Sequence, residues 1–311
     1  MAIKKSMLQR IVFGSIMIVL LAGVFVGDYL LGMYREYYSG VLLSLIFLPV
    51  LIIGYLEYSK MAGSVGVRTL NISGIAGVFV LSFMPVICNF AGGFGLDSCR
   101  HAGSLQNLLI WIARLTSFLV PWLGVAFLPI FLEQMWRYRL ADAIRQVACT
   151  IFGVLYIGML GSMLMQLRMT GSVLFLVFVV AMVKFTDIGA YFTGSFVGRH
   201  KMIPWLSPGK TWEGLAGGLI FASVIGVLGY YMARGCGIEL FVNSPVTAAI
   251  MGLTLGIVGQ FGDLCESLLK RAAGVKDSGA CIPQFGGVLD LLDSPLIAAP
   301  IAYLWLILLK Y

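Results

Sequence analysis

Charge is what this chain has least of. Only 11% of its 311 residues are Asp, Glu, Lys or Arg, against about 25% in a soluble domain. A soluble globular fold is thereby excluded. Histidine is scarce too: His101 and His200 are too few for a histidine metal cluster, and no Ser-His-Asp arrangement can be read. The cysteines (Cys88, Cys99, Cys149, Cys236, Cys265, Cys281) lack metal-ligand spacing and mostly lie in or beside apolar segments. They read as small buried hydrophobes, with neither a disulfide framework nor a zinc site. Internal repeats, low-complexity tracts and long linkers are also missing, so nothing splits the chain into separate globular units.

What the chain has instead is apolar sequence: 60% of residues are hydrophobic. Crossing the hydrocarbon core takes about 20 apolar residues in a helix. Nine runs qualify, at roughly 11–31, 40–57, 69–90, 105–132, 147–166, 172–192, 213–233, 246–262 and 295–309. The expected fold is an all-α polytopic membrane protein. The fourth run is long and holds Arg114 and Pro121, which predicts a kink or tilt. The first run follows Lys4, Lys5 and Arg10 without a clear small-residue cleavage site, and reads as a retained helix.

Lysine and arginine set the orientation. With the N-terminus in the cytoplasm, fifteen of them fall on the cytoplasmic side and five (Arg35, Arg100, Arg168, Arg234, Lys310) on the other, with Arg114 inside a span. This bias predicts nine spans, N-in and C-out. It also assigns the formal net charge of +7 to juxtamembrane residues, so no nucleic-acid partner is implied. The broad apolar N-terminal half is compatible with a homodimer. Acidic groups are scattered singly through the first half and crowd into the second. Residues 1–170 therefore read as a transmembrane scaffold and 171–311 as the chemical part of one integrated membrane domain.

Three constellations stand out in that second part. The segment from Gly262 to Ser294 holds Asp263, Glu266, Asp277, Asp290 and Asp293 beside Lys270, Arg271 and Lys276. Charge near a bilayer is costly and usually serves a purpose. Carboxylates mixed with basic groups suit a divalent cation bound with a phosphorylated substrate. Asp290 and Asp293, three apart, share a face if helical and can hold one or two cations; Asp263 and Glu266 repeat the spacing. Gly286-Gly287 would let backbone amides approach an anion or let the chain re-enter the membrane edge. Lys270 and Arg271 can hold phosphate oxygens. The plainer alternative is a set of interfacial ion pairs, such as Glu266 with Lys270.

The second constellation is Ser207-Pro208-Gly209-Lys210-Thr211-Trp212-Glu213-Gly214. A P-loop would need glycine at Pro204 and a preceding strand, so that motif is rejected. A short loop opening onto a helix start is still an anion site with Lys210 adding charge; a simple helix N-cap explains the same residues equally well. The third is Lys184-Phe185-Thr186-Asp187-Ile188-Gly189-Ala190-Tyr191. An aspartate this deep in a span needs a partner, and Lys184, another lysine or a metal would serve; Gly189 and Ala190 suit close helix packing. His200 lies between these motifs and reads as a solvated loop residue within reach of a nucleotide.

In this order and spacing, the three constellations resemble the phosphatidate cytidylyltransferase (CDP-diacylglycerol synthase) family. Its signature is matched by Ser267, Lys270, Arg271, Lys276, Asp277, Gly286, Gly287, Asp290 and Asp293. The upstream blocks match at Ser207, Pro208, Lys210, Thr211, Trp212 and Gly214, and at Asp187, Gly189, Ala190 and Tyr191. Two positions depart: Phe285 stands where the family usually has His, and Leu291 where it has Arg. The resemblance implies Mg²⁺-dependent transfer from CTP to phosphatidate in phospholipid synthesis, at the cytoplasmic face of the inner membrane. On that reading Asp263, Asp290 and Asp293 hold the metal, with Asp187 in support. Lys210, Lys270 and Arg271 neutralise phosphates. Ser207, Thr211, Ser267, Lys276, Gly286 and Gly287 contact substrate. The other classes to be weighed are a CTP-dependent lipid-alcohol kinase and an ion-coupled transporter; charges gathered at helix ends rather than at the bilayer midplane argue against the latter.

Overall fold

The computed structural model describes residues 20, 22–32, 40–90, 120–238, 241–281 and 286–310, except for the side chains of 88–90. Most of the first expected span, the start of the fourth with Arg114, His101 and Phe285 lie outside the described residues. Each apolar run is helical where it is described. We number the helices α1 (Ala22–Gly32), α2 (Val41–Ser64), α3 (Asn71–Phe90), α4 (120–133), α5 (Ala143–Thr170), α6 (Val173–Phe196), α7 (Trp212–Gly235), α8 (Pro245–Ala272) and α9 (Leu289–Lys310). Among the described residues α2, α5, α6, α7, α8 and α9 are long and apolar enough to cross a membrane, and α1 and α3 are shorter apolar helices. An all-α polytopic membrane fold is thus observed.

Local chemistry starts three of these helices. Ser172 Oγ accepts from the Phe175 amide at 3.1 Å to open α6, Thr211 Oγ1 from Gly214 at 3.1 Å to open α7, and Ser244 Oγ from Thr247 at 3.0 Å to open α8. Each hydroxyl satisfies one of the amides a helix start leaves unpaired. Between α4 and α5 the chain passes through a π-turn (Gln134–Tyr138) and then through Arg139 and Asp142, both in left-handed backbone. Gln134 Nε2 donates to Arg139 O and Ala141 O and holds that connection.

Two differences from the sequence reading matter. Ser207–Thr211 is a strand rather than a loop: β1 (Lys201–Ile203) and β2 (Ser207–Thr211) pair antiparallel between α6 and α7, with Lys201 opposite Thr211. And α8 and α9 outrun their apolar stretches, α8 continuing to Ala272 and α9 starting at Leu289. Lys270 links these charged turns, pairing with Glu266 on α8 and with Asp290 on α9.

The packing follows from small residues. α6, α7, α8 and α9 pack in succession, while α2, α3 and α5 form the other flank and join them in one core around Leu51, Tyr55, Ile157, Met182, Leu255 and Leu289. A Cβ at Gly252 would stand 2.4 Å from Ala222 O, so α7 and α8 touch backbone to backbone. Lipid supplies no hydrophobic drive for helices to associate, and such close van der Waals seams replace it. Gly262 does the same between α8 and α9: a Cβ there would lie 2.8 Å from Asp293 O. That approach brings the carboxylates of the two helices together.

Candidate functional site

The charged residues of α6, β2, α8 and α9 form one connected network. Lys210 Nζ, at the end of β2, pairs with Asp263 Oδ2 at 2.9 Å and donates to Gln260 O at 3.3 Å. Gln260 Nε2 donates to Asp187 Oδ1 at 2.6 Å. Lys184 Nζ lies 3.8 Å from Asp187 Oδ2 and 3.5 Å from Asp293 Oδ1. Lys270 Nζ stands 2.7 Å from both Glu266 Oε2 and Asp290 Oδ1. Lysine thus alternates with carboxylate across three helices and a hairpin. Formally, five carboxylates (Asp187, Asp263, Glu266, Asp290, Asp293) meet three ammonium groups (Lys184, Lys210, Lys270), which leaves two negative charges unbalanced.

Asp263, Glu266 and Asp293 each offer an oxygen within 4.8 Å of the other two. Glu266 is fully buried, yet its Oε1, like Ser294 Oγ and the Tyr156 hydroxyl, is buried without a hydrogen-bond partner among the described residues. An orphaned buried carboxylate oxygen is costly, and a hard cation takes such oxygen ligands. The donor set, the surplus charge and the orphaned oxygen therefore fit a divalent cation. Tyr156 comes from a π-helical turn of α5 (Val154–Met159), an irregularity frequently found at functional sites.

The remaining sequence-derived residues fall at different distances from this cluster. Asp290 is turned to a different set of partners: besides Lys270 its Oδ2 accepts from the amides of Gly287 at 2.7 Å and Ser278 at 3.1 Å. Gly286, at φ 95°, provides the turn that permits this; its missing Cβ would lie 2.7 Å from Asp290 Oδ2. The Gly287 amide thus meets the protein's own carboxylate. Ser267 Oγ donates to Asp263 Oδ1 at 3.4 Å. Arg271 is exposed and ties the hairpin down, its Nε donating to Leu206 O at 3.3 Å. Lys276 and Asp277 stand in the exposed turn after α8. Thr211 is buried and serves as the α7 cap. His200 Nδ1 lies 2.5 Å from Glu213 Oε1 on the hairpin surface.

Beside the acidic cluster opens a cavity of about 600 Å³ between α6, the hairpin, the start of α7 and the C-terminal half of α8. Asp187, Lys210, Gln260 and Asp263 line its charged end; Tyr191, Lys201, Ser207 and Thr211 line the rest. Its volume lies within the range of small-molecule sites. Three residues of this region were not among those singled out as ligands from sequence. Spacing set Glu266 beside Asp263 and paired it with Lys270, an ion pair that exists, without assigning it to the metal. Gln260 gave no signal. Glu57, on α2, accepts from Val288 N at 3.0 Å, Leu289 N at 2.9 Å and Ser278 Oγ at 3.2 Å. The usable signal for Glu57 was a lone acid at the end of an apolar run.

Comparison with known proteins identifies the family. A family model described as "Cytidylyltransferase family" matches residues 8–309. A phosphatidate cytidylyltransferase of Bacillus subtilis is 27% identical over 295 residues, covering 89% of this chain and 98% of that protein. One from Synechocystis is 43% identical over 123 residues, covering 40% of each chain. The uncharacterized protein YnbB of Escherichia coli is 38% identical over 141 residues, 45% of each chain. The chain thus matches less than half the length of the latter two and nearly all of the first. With a family match from end to end and the acidic cluster beside a lysine-bearing cavity, this chain belongs to the cytidylyltransferase family.

Proposed function

We propose that the chain transfers the cytidylyl group of CTP to phosphatidate, giving CDP-diacylglycerol and pyrophosphate, with Mg²⁺ as cofactor. The observation that carries this reading is the convergence of Asp263, Glu266 and Asp293 beside the lysine-bearing cavity at the ends of membrane-crossing helices. The names of the relatives point to the same reaction. In the reaction a phosphatidate phosphate oxygen bonds to the α-phosphorus of CTP, and the bond from that phosphorus to the bridging oxygen breaks, releasing pyrophosphate. Phosphatidate is already a competent nucleophile at neutral pH, so the protein's task is to position two polyanions and offset their charge.

Asp263, Glu266 and Asp293 would hold Mg²⁺, with Asp187 and Asp290 supporting the lysines around them; the ion would neutralise triphosphate charge and help align the reactants. Lys210, at the junction of cavity and cluster, draws the triphosphate and gives up its contact with Asp263 as it does so. Lys270, held between Glu266 and Asp290, keeps the cluster from repelling the nucleotide. Ser207 and Thr211 border the cavity, and Arg271 and Lys276 face the headgroup region. Acyl chains stay in the bilayer beside the bundle. The lysine and arginine bias supports nine spans with N-in and C-out topology, which puts this site at the cytoplasmic face of the cytoplasmic membrane, where CTP is found.

The test uses purified protein, phosphatidate, Mg²⁺ and CTP labelled at either the α or the γ phosphate. The α label should enter the lipid and the γ label should leave as pyrophosphate. Transfer of the γ label to lipid would establish a kinase instead and overturn the reading.

A further inference from the structure

We propose that Glu57 is a positioning residue for α9, reaching the site from the N-terminal half of the chain. The inference rests on the proposed role of Asp263, Glu266 and Asp293. Glu57 is 1% exposed on α2, where an unpaired carboxylate is costly. Its partners are a donor within the segment joining α8 to α9 and two donors where α9 begins. Val288 and Leu289 give their amides to Oε1 and Oε2, and Ser278 gives its hydroxyl to Oε2. The two amides belong to the N-terminal end of α9, where backbone donors lack helical partners and the helix dipole favours an anion. Glu57 is that anion, more than two hundred residues upstream in sequence.

The space around it is cut to a carboxylate. A Cβ on Gly279 would lie 2.4 Å from Glu57 Oε1, and one on Gly287 would lie 2.5 Å from Oε2. Asp290 takes the neighbouring donors, Gly287 N and Ser278 N. The first turn of α9 is therefore gripped from within by Asp290 and from outside by Glu57. Asp293 sits one turn further along, so its direction toward Asp263 and Glu266 depends on the rotation of α9 that this grip fixes. Glu57→Gln would keep the shape but place an NH₂ group opposite a backbone N–H, whichever way the amide is turned. The grip then loosens without a change in volume.

The experiment compares full-length wild type, Glu57→Gln, Ser278→Ala and Asp293→Asn in detergent. Mn²⁺ binding is followed by electron paramagnetic resonance, alongside kcat and KM for CTP. Groups that orient metal ligands typically shift metal affinity or activity about ten- to a hundredfold, so Glu57→Gln should weaken Mn²⁺ binding and lower kcat by that order, with the KM for CTP little changed. A merely structural Glu57 would lower the melting temperature and leave Mn²⁺ affinity and kcat of the folded protein as in wild type; that result overturns the proposal. If Glu57→Gln yields no folded protein, Ser278→Ala decides, with Mn²⁺ binding weakened about threefold in support and unchanged binding against. Loss of binding in Asp293→Asn with none in Glu57→Gln or Ser278→Ala defeats the Glu57 proposal alone. Retained binding in Asp293→Asn defeats the acidic-cluster reading and this inference together.

Discussion

Where α5 finishes, Asp28 and Arg168 bury one charge of each sign; where α8 finishes, five carboxylates face three lysines. The first arrangement is closed. Arg168 Nε lies 2.5 Å from Asp28 Oδ2, and the other carboxylate oxygen accepts from Leu43 N at 3.3 Å. Asp28 is fully buried and Arg168 nearly so. Charge balances on the spot, and α1, α2 and α5 are fastened together. The second arrangement is open: charge is in surplus, Glu266 Oε1 and Ser294 Oγ lack partners among the described residues, and a cavity adjoins it. Buried charge alone therefore does not mark a working site in this protein. Imbalance beside accessible space is what sets the candidate site apart from that pair.

The same isosteric change at the two ends should break opposite properties. Asp293→Asn should lower CDP-diacylglycerol formation at least about a thousandfold, equivalent to about 4 kcal/mol, while the melting temperature holds or rises because a like charge has left a crowded cluster. Asp28→Asn should cost about 3 kcal/mol of stability, since it strands a buried guanidinium, and leave kcat per folded molecule unchanged. Thermal melts and labelled-CTP turnover on the same preparations check both. The smallest effect sharpens the contrast. Replacing Asp28 and Arg168 together by leucine should change stability by no more than about 1 kcal/mol, because exchanging a whole buried pair for packed apolar groups is often neutral. A large loss in the double variant would show that the closed pair has a role beyond fastening.

The fold was largely legible because bilayer thickness leaves few options: apolar runs of the right length became helices where described, and Thr211 opened one of them as a hydroxyl cap does. The link between Asp187 and Lys184, and that between Glu266 and Lys270, could be read because they are local helical spacings. The hairpin was missed because Pro204-Trp205-Leu206 carries none of the glycine or asparagine signals of a tight turn, and the Arg271 contact to Leu206 comes from far along the chain. The different fates of Asp290 and Asp293 were also hidden. Spacing put them on one face, but only the path of the chain through Gly286 and Ser278 decides which one is occupied by backbone amides. Glu57 and Arg168 owe their roles to partners far along the chain, which no local pattern encodes.

The seam between α7 and α8 also sets how this chain can vary. At Gly252 even one added methyl would collide with a backbone carbonyl, while Ile250 and Leu253, its neighbours on the same helix, face outward with nearly half their surface free. Substitutions along α8 should therefore be tolerated in stripes: almost none on the edge that meets α7, and wide hydrophobic interchange on the edge that meets lipid.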